Sequence, residues 1–225
     1  MKSLSIAFGL IAALFGGAAL AQENTLDLGV VNFQINSSSP DISGRYTPGG
    51  LNLDVGNATS LYLAYTRHVW GHFSAELDGG IPPKFNVYAK GPATVGSVPY
   101  NGVTLASAHS FTPAAFVNYN FLDTSNPWQP YIGLGVNYTN FYKISSTSGN
   151  NAINGGYTML GLSDSWGVAG HVGLRYRIQD HWSVNFAVTM ADVKSNLTTD
   201  TYGVRRGTTI DFRPTVFILS VGYSY

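Results

Sequence analysis

Cysteine is missing altogether from the 225 residues, which excludes a disulfide framework and any thiolate metal site. Charge is scarce as well. Asp, Glu, Lys and Arg make up 11% of the chain, against about 25% in soluble domains. Lys2 is the only charged residue before Gln22, so the remainder carries 11 basic and 12 acidic residues and no basic cluster that would suit a nucleic-acid partner. Long hydrophobic runs are lacking too. Beyond residue 21 no stretch approaches the roughly 18 apolar residues that a membrane-spanning helix needs. The first 21 residues read as a secretory signal, with Lys2 at the positive start, an apolar run from Ile6 to Phe15, and Ala19-Leu20-Ala21 as the small-residue cleavage site. An anchoring helix fits less well, because Gly9, Gly16 and Gly17 interrupt the run and no basic stop-transfer cluster follows. The expected mature protein is residues 22–225.

What is abundant is aromatic and glycine: Phe, Trp and Tyr are 13% of the chain and Gly numbers 26. Few charges with many rings suit a chain half facing lipid and half facing a lumen. The last residues show the pattern most plainly. Phe217, Leu219, Val221, Tyr223 and Tyr225 occupy alternate positions, hence one face of a strand. Eight such segments, each long enough to cross a bilayer at a tilt, lie near 25–35, 59–69, 72–82, 109–121, 130–143, 164–178, 181–193 and 211–225. The sixth sets Trp166, Val168, Val172, Leu174, Tyr176 and Ile178 against Ser165, Gly167, Ala169, His171, Gly173, Arg175 and Arg177. The seventh sets Trp182, Val184, Phe186 and Val188 against Ser183, Asn185, Ala187 and Thr189. The fold class expected is all-β: an eight-stranded antiparallel transmembrane β-barrel.

Short connections at Val69-Trp70-Gly71, 122–129 and Gln179-Asp180 alternate with long ones near 36–58, 83–108, 144–163 and 194–210. Outer-membrane barrels have this layout, with the short turns periplasmic. Trp70, Trp128 and Trp182 each mark a short turn, and Tyr223 and Tyr225 end the last strand at the same level. Trp and Tyr gather at membrane interfaces because one end of the ring prefers lipid and the other water. A soluble β-sandwich is the competing architecture, and it gives no reason for that coincidence.

The segments Pro130-Tyr131-Ile132-Gly133-Leu134-Gly135-Val136-Asn137-Tyr138-Thr139, Asp164-Ser165-Trp166-Gly167-Val168-Ala169-Gly170-His171-Val172-Gly173, Trp182-Ser183-Val184-Asn185 and Pro214 through Tyr225 together resemble the OmpW family of small outer-membrane barrels. The resemblance covers the whole mature chain. It implies passage of small, mostly hydrophobic molecules across the bacterial outer membrane, and use of family members as colicin or phage receptors.

Eight strands enclose a space that side chains can fill. Gly133, Gly135, Gly167, Ala169, Gly173, Ala187, Ala191 and Gly222 are expected inside, either leaving a passage or relieving strain in a tightly coiled sheet. The lumen and gate candidates are Glu76, Asp78, His171, Arg175, Arg177 and Thr189. Buried charges pair, so Glu76 and Asp78 with Arg175 and Arg177 form either an ionic plug below an apolar vestibule or a purely structural network. Pro82 and Pro83 lie at the outer end of the third strand and Pro113 at the outer start of the fourth. Proline donates no ladder hydrogen bond, so the spacing marks either a lateral opening toward the outer leaflet or ordinary strand termination.

No enzyme is expected. His72/Ser74 and His181/Ser183 share strand faces, as nucleophilic catalysis requires, but sit at the periplasmic end, away from outer-leaflet lipid. His68 and His72 flank one turn with Glu76 as the only nearby further ligand, too few for a metal site. No cofactor is expected, since no phosphate-cradling glycine loop opens a helix. The partners expected are outer-membrane lipid, small apolar solutes and the barrel-assembly machinery, which would read the C-terminal strand. The function expected is a narrow conduit for small hydrophobic molecules, with lateral release between strands. A closed-lumen structural or receptor barrel, docking adhesion targets, colicins or phage through its long loops, is the alternative.

Overall fold

The computed structural model describes residues 24–225, so the expected signal segment lies outside the described residues. Strand β1 (Asn24–Ile35) is followed by two short outer strands, β2 (Ser43–Gly44) and β3 (Asn52–Val55). Then come β4 (Ala58–Trp70), β5 (Phe73–Gly80), β6 (Lys84–Lys90), the pair β7 (Thr94–Val95) and β8 (Val98–Pro99), β9 (Thr104–Phe111) and β10 (Ala114–Asn120). The second half holds β11 (Trp128–Ser146), one short helix α1 (Ser148–Ile153), β12 (Met159–Leu162), β13 (Ser165–Arg177), β14 (Trp182–Ala191), β15 (Lys194–Thr201), β16 (Val204–Asp211) and β17 (Pro214–Ser224).

Eight of these close on themselves in the order β1, β4, β5, β10, β11, β13, β14, β17 and back to β1, every neighbour antiparallel. Closure is required physically. An unpaired backbone group in hydrocarbon costs several kcal/mol, so a lipid-facing sheet can have no free edge. The seam between first and last strands runs from Ile35 opposite Pro214 down to Thr25 opposite Ser224, and Asn24 and Tyr225 exchange backbone hydrogen bonds of 3.1 and 2.9 Å beyond it.

Alternation decides which face meets lipid. Leu28, Leu63, Leu134, Trp166, Val168 and Leu219 are exposed on the outside, while Asp27, Tyr62, Gly133, Ala169 and Ile218 point inward. Rings band both rims. At the lower rim Trp70 meets Phe73 at 4.9 Å between centroids, Trp128 meets Tyr176 at 4.4 Å and Trp182 meets Tyr223 at 5.1 Å. Tyr225 is exposed at the same level. At the upper rim Tyr138 meets Trp166 at 4.7 Å. The rise from Trp166 to Tyr176 along β13, at ~3.4 Å per residue and ~40° tilt, is about 25 Å, the height of an outer-membrane hydrocarbon band.

The long connections are largely strand. They carry strands that extend the barrel outward as two sheets, β3–β6–β9 on the upper part of β11 and β12–β15–β16–β2. Period-two apolar residues hidden among the polar ones explain this. Leu51, Leu53 and Val55 face Phe85, Val87, Ala89, Leu197, Ile210 and Phe212 in one buried cluster. Two strand boundaries also differ from the sequence reading. The third stave stops at Gly80 and resumes at Lys84, and the fourth stops at Phe111 and resumes at Ala114. Pro82, Pro83 and Pro113 therefore interrupt continuing staves rather than ending them.

Candidate functional site

The interior is layered. Its lower half is polar. Thr66, His68, Ser74, Asn120, Gln129 and Ser183 are among the residues around a vestibule facing the short turns. Above it lies a buried septum. Arg175 on β13 donates to Asp27 on β1 at 2.7 Å, and Ser220 on β17 donates to the other Asp27 oxygen at 3.2 Å. Tyr62 reaches the carboxylates of Glu76 and Asp78 with its hydroxyl at 3.4 and 3.0 Å. Asn118 donates to Glu76 at 2.6 Å and its carbonyl oxygen lies 2.7 Å from His171 Nε2. Tyr131 donates to Asn185 at 3.1 Å. All eight barrel strands thus contribute to this hydrogen-bonded layer. Asp27, Asn118 and Asn185 are each no more than 2% exposed, so the barrel is filled at this height.

The septum corrects the ion pairing read from sequence. Arg175 is held by Asp27 on β1, three strands away through β14 and β17, rather than by Glu76 or Asp78. Arg177, one step nearer the rim, donates to the carbonyl of Thr124 in the β10–β11 turn. Asp27, Tyr62, Asn118 and Tyr131 were absent from the candidates. Asp27 was legible, as a lone acid flanked by Leu26 and Leu28 in an alternating strand. Of the two His/Ser spacings, His181 is turned to the Ser224 carbonyl at 2.8 Å and His72 lies 3.9 Å from Asp123.

Above the septum the wall becomes apolar. Phe33, Phe85, Phe116, Phe141, Phe212 and Ile218 are among the residues around a chamber, with Tyr62 and Asp78 at its floor. Thr189 lines this chamber rather than the ionic layer. Small residues make the space, with Ala169 and Ala191 on its wall. The chamber reaches the barrel wall where the prolines interrupt the staves. Between the Asp78–Ala114 and Lys84–His109 pairings, regular β5–β10 and β6–β9 ladders are replaced by Gly79–Pro83 opposite 110–113, bridged by Ser110 donating to the Pro83 carbonyl at 3.2 Å. A cleft sits there, lined by Leu61, Gly80, Ile81, Pro82, Pro83 and Phe111. Val31, Phe33, Gly79, Ser110 and Thr112 line both the cleft and the chamber. Pro113 is half-buried beside this cleft, its carbonyl accepting from Tyr138 at 3.1 Å.

A third cavity lies between the two outer sheets, with Ile42, Leu51, Tyr100, Leu105, Leu160 and Ile210 in its wall. Phe85, Phe141, Val193 and Phe212 pack between it and the chamber below, Phe141 stacked on Phe212 at 5.2 Å.

A closed antiparallel barrel with lipid-facing apolar residues, two aromatic rims and a buried polar septum is an outer-membrane protein. The OmpW family profile matches residues 26–225, and the chain belongs to that family. It is 29% identical to Outer membrane protein W of Salmonella typhimurium over 228 residues, covering 100% of both chains. To Outer membrane protein AlkL of Ectopseudomonas oleovorans it is 26% identical over 186 residues, 82% of this chain and 73% of that one. The crystal structure of OprG from Pseudomonas aeruginosa superposes with a TM-score of 0.81 at 26% identity, covering 91% of this chain and 96% of that one.

Proposed function

We propose that this barrel is a conduit that takes small apolar molecules from outside and releases them sideways into the outer leaflet. The observation that carries the reading is the shared lining: five residues bound both the apolar chamber and the cleft at the proline breaks. The septum gives it direction. An apolar solute in the chamber has a polar, filled layer beneath it and hydrocarbon beside it. Crossing the septum would cost it the separation of buried hydrogen bonds, about 1–3 kcal/mol for each group left unpaired. Leaving through the cleft costs no such loss. Pro82, Pro83 and Pro113 hold the cleft open because none offers an amide hydrogen to close the ladder. Glu76, Asp78, His171 and Arg175 serve as floor rather than pathway.

Uptake by proteoliposomes of an apolar dye and a charged dye of matched size tests this. The wild-type barrel should speed the apolar dye alone, and planar-bilayer conductance to small ions should stay near the bare-membrane level. Equal acceleration of both dyes, or steady ion conductance, would count against lateral release. No acceleration of either would favour the receptor reading, for which the ordered outer sheets are the supporting feature.

A further inference from the structure

Glu76 and Asp78 stand two residues apart on β5, so both carboxylates project into the lumen from one strand face. His171 reaches them from β13, three strands further round. Its path is cleared by Gly133 on β11, directly opposite it in register, where an added Cβ would collide with the His171 ring and the Asn118 carbonyl oxygen. The ring is then fixed by stacking on Phe116 at 4.0 Å. One ligand atom from each of Glu76, Asp78 and His171 lies within 4.8 Å of the other two. Glu76 and His171 are only 4% and 3% exposed.

Two further observations point to a ligand. His171 Nδ1 is buried without a hydrogen-bond partner, although its ring is otherwise held from both sides. The septum also gathers three carboxyl groups, Asp27, Glu76 and Asp78, while the Arg175 guanidinium is committed to Asp27 at 2.7 Å. Glu76 and Asp78 share the single hydroxyl proton of Tyr62, and Asn118 supplies one more donor to Glu76. Two adjacent carboxylates in a low-dielectric layer repel and lack full solvation, a cost of several kcal/mol for each buried ion.

We propose that Glu76, Asp78 and His171 bind one divalent transition cation of the zinc type in the septum, which locks the floor of the chamber. Two carboxylate oxygens and one imidazole nitrogen match zinc, whereas calcium and magnesium call for all-oxygen sets. Zinc bonds of about 2.1 Å place ligands roughly 3 to 3.5 Å apart, within reach of side-chain rotation here. Tyr62 Oη, next to both carboxylates, is the neutral fourth donor.

The test is equilibrium dialysis of the folded, chelator-stripped barrel in lipid bilayers against zinc, calcium and magnesium chlorides. One zinc per chain should bind, with an imidazole signature in zinc-edge X-ray absorption. Glu76→Gln, Asp78→Asn and His171→Gln should each weaken binding by roughly tenfold or more, while His109→Gln, on an outer strand, should leave it unchanged. Heat-dependent gel mobility reports that each variant is folded. The wild-type measurement decides alone: absence of bound zinc at millimolar metal overturns the proposal. So would zinc retained in all three variants, or equal binding of calcium.

Discussion

At the scale of residues, the barrel interior is governed by the cost of leaving a buried polar group alone. Asp27 is 1% exposed and its partner Arg175 16% at the side chain. Arg175→Met removes the guanidinium and strands the carboxylate, a change expected to cost about 3–5 kcal/mol. Asp27→Asn together with Arg175→Met removes both charges and should regain most of that loss. Urea unfolding in lipid vesicles, followed by tryptophan emission, measures both; equal destabilisation in the single and double variants would contradict the pairing. Gly133 is a second residue-scale constraint. Its substitution by Ala places a methyl group against His171 and Asn118 and should cost roughly 1–3 kcal/mol by overpacking. The same titration, with Gly170→Ala as control, checks it. Gly170 faces outward, and a Cβ there would meet only the Leu134 side chain at 3.4 Å and a backbone oxygen at 3.6 Å.

At the scale of elements, the informative unit is the interrupted stave. β5 and β6 are one stave broken by Ile81-Pro82-Pro83, and β9 and β10 are one stave broken by Thr112-Pro113. Pro113→Thr restores a backbone donor at the break. Apolar-dye uptake should fall severalfold while ion conductance stays unchanged, and unaltered uptake would count against a proline-held cleft. Much of this level was legible in advance. The eight segments, their facing and the periplasmic rings follow from period-two alternation and from Trp and Tyr at the short turns. The outer sheets were not legible, because Leu51, Leu53, Val55, Phe85 and Val87 are embedded in turn-forming composition, and their pairing depends on partners far along the chain. The septum was half legible. Glu76, Asp78, His171 and Arg175 share the inward faces of their strands, but which acid meets Arg175 depends on contacts made only once the cylinder closes. Strand alternation gives the facing of a residue and says nothing of its partner across the lumen.

At the scale of the whole molecule, one lumen is divided by chemistry into a polar lower vestibule, a buried septum, an apolar chamber and an outer cavity beneath two sheets. The Phe85, Phe141, Val193 and Phe212 layer separates the last two. Phe141→Ala opens that layer, so apolar uptake should rise with no gain in charged-dye uptake, and a fall in uptake would place the layer outside the route. The central claim is that the chamber empties through the wall. Gly79 lines both chamber and cleft, and a Cβ added there meets no atom within 4 Å. Gly79→Phe therefore places a ring at the outer mouth of the opening, on the Leu63 side, with no clash at its first carbon. The most direct measurement is apolar-dye uptake by vesicles holding Gly79→Phe against wild type, at equal folded content. Uptake reduced to near the protein-free rate is the expected result; uptake equal to wild type would contradict lateral release.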